Sequence, residues 1–394
     1  MAQFGDFTVD RNSTKYVLGS GGTIISYATD EPAFEFNADG SYKGLLVEPA
    51  ATNLCLQSED INTTWTPFQS TPTQSTEETP DGDTSSKYIK LVDDGGGGTG
   101  IVAVYQSIAV SAGTKYTASA FLKADGLDWA VLNARDYDGT TDGYQFFDLS
   151  TGSLGTASNL DDSSIEAYPN GWYFCSITWT QGAGDTSFTF RVDVAGVNSD
   201  ATVDRDGTSS IFVWGAQVET GSIATSYIPT TTIALTRNAD QIALTSASSL
   251  IGQTEGTLYV EVDWRGTDGA SQFLLSINND SNNRLAIFVA SNIDLRMFAR
   301  SNSVTLTEQG ESVTGYSGTQ KIAFAYKTDD FELYRNGTSV STDTAGSLSA
   351  LATLTNIDLG QNNGASGQAN MHIRSVALFK KRLTDQQLQA LTGN

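Results

Sequence analysis

Few side chains in this 394-residue sequence could break bonds. A Ser-His-Asp or Cys-His site needs an imidazole to carry the proton. The only one is His372, inside a strand pattern, where it reads as structural or as surface. The same shortage excludes metal sites built on histidine and cysteine. Cys55 and Cys175 are too few and too far apart for a disulfide framework or a zinc cluster. Cys175 alternates with apolar neighbours and reads as a buried thiol. Carboxylates are plentiful. Asp136, Asp138 and Asp142 form one loop cluster, with Asp93 and Asp94, and Asp204 and Asp206, as two more. Calcium takes several oxygen ligands, so Ca2+ is the one cofactor these loops could hold, Asp136, Asp138 and Asp142 first. Solvated loop charge is the other reading, since no twelve-residue calcium loop fits. Sugar binding needs aromatic faces beside amides and carboxylates. Trp129, Tyr137, Tyr144 and Trp172 are the candidates, against the alternative that each is core. The glycine run from Gly95 to Gly98 has no Lys-Ser or Lys-Thr after it, so it reads as a hairpin tip and not a phosphate loop.

The elements that must position these residues follow from pattern and composition. The length allows two to three domains. Hydrophobic residues at 39% and aromatics at 10% supply real cores. Net charge is -23, from 45 acidic and 22 basic residues. Phosphate contacts are made largely by Lys and Arg, so nucleic acid is excluded as a partner. The charge also disfavours anionic membranes, and suits solubility, cation binding or a salty medium. No apolar run reaches the roughly 18 residues that span a bilayer, so membrane insertion is not expected. Met1 to Asp6 shows no basic or apolar leader pattern, so synthesis in a cytosol without an export tag is expected.

Period-2 alternation dominates. Tyr116, Ala118, Ala120 and Leu122 share a face, as do Tyr173, Cys175, Ile177 and Trp179. Phe188, Phe190, Val192 and Val194 alternate with Thr189, Arg191 and Asp193. Such runs, bounded by Gly, Asp and Asn, mark half-buried antiparallel strands. Trp214 to Glu219, then Tyr227, Ile228 and Pro229, reads as the last strand of one sandwich entering the linker to the next. A second series follows. Leu258, Val260, Val262 and Trp264 point inward, with Tyr259, Glu261 and Asp263 on the other face. Asp329-Asp330 and Asn336-Gly337 read as hairpin turns. Thr384 with Gln387 forms a capping box for a short helix carrying Leu388 and Leu391. The expected fold is all-β: two antiparallel β-sandwich (jelly-roll) domains in tandem after a short N-terminal arm, with one C-terminal helix. The arm spans 1–55, too short for a large core, and either pads a neighbour or docks elsewhere. The sandwiches span 56–232 and 233–394.

Particular segments resemble known families. Gly44-Leu45-Leu46-Val47-Glu48-Pro49, then Thr52-Asn53-Leu54, Gln57-Ser58-Glu59-Asp60 and Trp65, is similar to a segment of tailed-phage virion proteins of the head-spike, fibre or tail-associated kind. Members usually carry an arginine before the Thr-Asn pair and another in an upstream Pro-Arg-Phe; here Ala51 and Ala33 stand there. The block from Trp65 to Pro229 resembles carbohydrate-binding-module sandwiches of phage proteins. Its landmarks are Phe147 to Gly152, Asn170 to Tyr173, Trp214 to Glu219, Ala224 to Thr230, and Thr236 to Asp240. The block after 241 resembles concanavalin A-like (laminin G-like) lectin domains, through Tyr334-Arg335-Asn336-Gly337, Asp358-Leu359-Gly360 and Arg382 to Leu388. Glucanases of that fold carry Glu-x-Asp-x-x-Glu on one strand. Here Glu261 and Asp263 are followed by Trp264, Arg265 and Gly266, so the general acid is absent. The resemblance implies a non-enzymatic subunit of the virion, a fibre, spike or decoration protein with other capsid or tail proteins as partners. It implies a homo-oligomer, trimeric by analogy, and displayed lectin-like domains that contact host-surface glycans. A glycan-degrading depolymerase and a cellular carbohydrate-binding adhesin are the alternatives.

Overall fold

The computed structural model describes residues 6–266, 269–312, 318–364 and 367–393. Alternation becomes layers in the first sandwich. Strand Lys115–Ala124 buries Tyr116, Ala118, Ala120 and Leu122 against one core. Its neighbour Trp172–Thr180 sets Cys175, Ile177 and Trp179 on the same side, with Tyr116 and Trp179 stacked at 6.1 Å. The facing sheet supplies Phe188, Phe190, Val192 and Val194 from strand Ser187–Ala195. Each fully buried side chain of this size is worth about 1.5–3 kcal/mol relative to exposure. All the described pairings are antiparallel, in keeping with strands that bury one face and leave the other polar.

Gly215 and Ala216 form a bulge in strand Ser210–Thr220, the two opposing Ala120 between the Ser119–Gln217 and Phe121–Trp214 pairs. Gly215 has φ 63°, and a Cβ there would meet the Phe121 ring at 2.8 Å. Only glycine fits, and the bulge turns Trp214 outward onto Phe121 and Tyr227. That aromatic cluster, with Trp172, Phe174 and Phe212, covers the outside of this sheet. Ile24 and Tyr16, from the hairpin of Lys15–Leu18 and Ile24–Tyr27, pack onto it.

The second sandwich packs Leu258, Val260 and Val262 against Leu285, Ile287, Leu295 and Met297. Its hairpins turn at Asp329 and at Asn336-Gly337, all with positive φ. Thr384 and Gln387 cap helix Asp385–Thr392, which seats Leu388 on Tyr259, Ala323, Ala325 and Tyr334.

Residues 1–55 were expected either to pad a neighbour or to dock elsewhere. Strand Thr8–Asp10 extends one sheet of the second sandwich by pairing with Gln241–Leu244. Strands Phe34–Phe36 and Tyr42–Val47 extend the other, through Met371–Phe379. Val9, Leu45 and Val47 lie in its core. The first sandwich is therefore inserted into the second. Its two connections, Ala51–Asn53 and Leu235–Arg237, pair with each other as a ribbon.

At the base of that ribbon is a buried ion cluster. Lys15 Nζ lies 2.6 Å from Asp240 and 2.9 Å from Glu48, and Arg11 lies 2.9 Å from Asp240. Arg237 and Arg265 approach Glu48 at 3.6 and 3.5 Å. The Ser226 N–H and hydroxyl both donate to Glu48. Burial alone would push the Glu48 carboxyl up; Lys15 first, then Arg237 and Arg265, hold it well below the usual range. Nearby, buried Glu35 contacts His372, and Lys43, His372 and Arg265 outweigh burial to bring Glu35 down to about 2.

Glu48→Gln is expected to cost about 3–5 kcal/mol in denaturant titration, because it leaves buried cations uncompensated. Glu35 and Glu48 bind protons more readily in the unfolded chain, at an ordinary value of 4.5, than when folded. Their contribution is intact above that value and drains as pH falls through it towards about 2. Asp193, Glu219 and Asp358, raised by burial, act in the opposite sense. The readout is therefore a difference: melting temperature of Glu48→Gln should fall less steeply than wild type across that acid window.

Candidate functional site

One face of the first sandwich stays open, and strand register writes its composition. Tyr105 lies opposite Arg191, Arg191 opposite Asn133, and Asn133 opposite Tyr144, a single row across four strands. The next row runs Phe68, Ala103, Asp193, Val131 and Phe146. Beyond it Trp129 sits between Ala195 and Asp148. These are the alternate positions whose neighbours fill the core. A cleft of about 240 Å³ opens among Phe68, Tyr105, Arg135, Asp136, Thr189 and Arg191.

The centre is electrostatically locked. Arg191 donates from Nε and Nη2 to the two oxygens of Asp193, both at 2.6 Å. Asp193 is fully buried, and burial, larger than the opposing pull of Arg191, raises its carboxyl pKa. The two-point pairing fixes the orientation of the guanidinium, and Arg191 lines the cleft. Tyr105 and Phe68 flank it, and Phe68 is 45% exposed. A rigid donor between the exposed Phe68 ring and the half-buried Tyr105 ring is suited to holding a polyhydroxylated ring. The cleft also holds the Asp136 carboxylate beside Arg135, while Asp193 is buried and tied to Arg191.

Two of the four expected aromatics lie here. Trp129 and Tyr144 are half-buried with Val131, Phe146 and Ala195. Gly155 lets the indole lie flat, since a Cβ there would meet the Trp129 ring at 2.6 Å. Tyr137 lies elsewhere, its ring packed toward the sandwich interior. Trp172 is 1% exposed on the opposite sheet, donating its indole N–H to the Glu78 carbonyl at 2.8 Å. It is core because the N-terminal hairpin and the linker cover that side.

The three aspartates do not converge. Asp138 accepts from the Thr140 and Thr141 amides of its own turn at 3.1 and 2.6 Å. Asp142 pairs with Arg135 at 3.2 Å and accepts from the Asp136 amide. Among the described residues no group of three or more His, Cys, Asp or Glu is arranged to hold a metal. Glu261 accepts from the Tyr259 hydroxyl at 3.4 Å, on the sheet side that carries the C-terminal helix. Phe68, Tyr105, Asn133, Arg191 and Asp193 were not singled out as binding residues. The charged Arg-x-Asp on the polar side of an otherwise apolar strand was the available signal.

Residues 236–389 match the family described as the concanavalin A-like lectin/glucanases superfamily. The second sandwich is thus a lectin-like β-sandwich. Solved structures similar to this chain include the Ruminococcus gnavus IT-sialidase CBM40, 17% identical over 38% of this chain and 88% of that one, TM-score 0.33. A botulinum neurotoxin serotype D/C binding domain is 16% identical over 39% and 40%, TM-score 0.34. The leech intramolecular trans-sialidase is 15% identical over 36% and 24%, TM-score 0.31. Likenesses at this level do not bear on ligand or activity. A comparison with curated proteins finds no match. Among the described residues no helix is long and apolar enough to cross a membrane.

The two kinds of aromatic separate by stability. Trp172→Ala should cost about 3–5 kcal/mol by chemical denaturation. Tyr105→Ala, on the open face, should change it by no more than about 1 kcal/mol.

Proposed function

We propose that this chain is a non-enzymatic structural subunit of a tailed-phage particle, a fibre, spike or decoration protein, that displays its sandwiches for adhesion to host-surface glycans. The open row of Tyr105, Arg191, Asn133 and Tyr144, with Phe68 beside it, carries the adhesion reading. The lectin-like family match over 236–389 supports it. The particle reading rests on the resemblance of the Gly44 to Leu54 and Trp214 to Asp240 segments to virion proteins. Its partners are other virion proteins and further copies of itself, as a trimer by analogy. Many copies on one particle offset weak single-site affinity.

A multimerised full chain on an array of bacterial surface glycans should bind a subset. Phe68→Ala with Tyr105→Ala should remove that binding while leaving the melting temperature nearly unchanged. A silent array with the wild-type multimer overturns adhesion. Release of reducing sugar from capsular polysaccharide would make the chain a depolymerase instead. Portal, capsid and tail genes beside its gene, and the chain itself in purified particles by mass spectrometry, are expected; its absence from such particles overturns the virion role.

A further inference from the structure

The second sandwich also has an open sheet face, and its charge is out of keeping with the chain. Strands Asn283–Val289 and Asp294–Ser301 place Arg284 directly opposite Arg300. Side chains so paired approach to about 5 Å at Cβ, and like charges there are destabilising. Neighbouring cations show how this chain normally manages an arginine: Arg296 pairs with Asp294 at 3.0 Å and Glu308 at 2.8 Å. Among the described residues no carboxylate lies within ion-pair distance of Arg284 or Arg300, in a protein carrying 45 acidic residues. The Nε atoms of both are buried and without a hydrogen-bond partner. An unmet buried donor costs about 1–3 kcal/mol.

The pair is nevertheless built rather than left over. The Arg284 guanidinium is held against the rings of Phe273 and Phe298, 5.3 and 4.8 Å from their centroids. Phe288 stacks on Phe273 at 5.1 Å and braces Phe298 edge-on at 5.9 Å. Stacking orients the planar fork without neutralising it. Burial first, then Arg300, lowers the Arg284 pKa, against a smaller opposing pull from Glu308, which lies beyond ion-pair distance and is paired with Arg296. The row continues with amides and a hydroxyl: Asn356 and Asn278 beyond Arg284, Thr305 beyond Arg300. Asp358, in the adjacent row, is occupied by Asn278 Nδ2 at 2.6 Å and the Asn363 amide at 2.8 Å.

We infer that Arg284 and Arg300 form a binding site for the carboxylate of an acidic sugar, a uronic or nonulosonic acid. The two guanidinia would face the carboxylate, and Asn356 and Thr305, in the same cross-strand row, lie where the sugar's hydroxyls would be. This site lies on a different sandwich from the Tyr105 row and does not depend on it.

The full chain is titrated calorimetrically with trigalacturonate and with 3′-sialyllactose, the two sources of such a carboxylate, and with lactose and inorganic sulfate. At least one acidic sugar should bind, and binding should weaken as salt rises. Arg300→Gln should weaken it by about tenfold or more while the melting temperature holds or rises, because the like-charge opposition is relieved. Arg284→Lys should also weaken it, since an ammonium lacks the fork. Phe68→Ala with Tyr105→Ala should leave it unchanged, which separates this site from the one proposed above. Equal binding of lactose, full binding by folded Arg300→Gln, or sulfate binding as tightly as either sugar overturns the inference; the last would mean an adventitious ion only.

Discussion

Glu48 holds this molecule together. One fully buried carboxylate gathers Lys15 from the first hairpin, Arg237 from the returning connection, Arg265 from the second sandwich and Ser226 from the end of the first. Asp240 does the same for Lys15 and Arg11, and accepts from the Glu48 amide at 2.9 Å. Charges taken out of water are tolerable only when every one is matched. That requirement fixes where the hairpin, the ribbon and both sandwiches stand. Polar bolts of the same kind run upward. Asn53 donates to the Ala216 and Ile228 carbonyls, and Glu219 accepts from Gln217 and from both donors of Thr225.

The covered and open faces follow from this anchoring. Lys15 brings its hairpin over Trp172, Phe121 and Trp214, so that side of the first sandwich is interior. Lys43 reaches Glu166 at 2.6 Å along the same seam. The opposite sheet lacks that cover and carries the cleft beside Phe68, Tyr105 and Arg191. In the second sandwich the C-terminal helix covers one sheet, and the sheet bearing Arg284 and Arg300 remains open. Each module thus carries arginine and aromatic side chains on the sheet its neighbours leave uncovered, in a strongly acidic chain.

Strand alternation made much of this legible. The inward rows at Tyr116, Cys175, Phe188 and Leu258, the turn at Asn336-Gly337 and the Thr384 capping box all appear as the pattern implied. The insertion was not legible. Strands of three to six residues at or next to a sheet edge, such as Thr8–Asp10 and Tyr42–Val47, show too little periodicity to reveal a partner hundreds of residues away. The segments that carry the virion resemblance are those that supply Glu48, Asn53, Glu219, Arg237 and Asp240, which are bolts and not ligand contacts. Site residues were harder still. Trp129 and Trp172 look alike in sequence, and only the hairpin folded over one of them distinguishes interior from surface. The Tyr105 row exists only through cross-strand register, which no single strand encodes.

The paired connections Ala51–Asn53 and Leu235–Arg237 alter how the inserted sandwich can move. A lone linker permits free swivelling. Two antiparallel segments zipped by backbone hydrogen bonds behave as a short stem that resists torsion. A pull on the outer module is therefore divided between two covalent strands, and neither can peel away before the ladder between them shears.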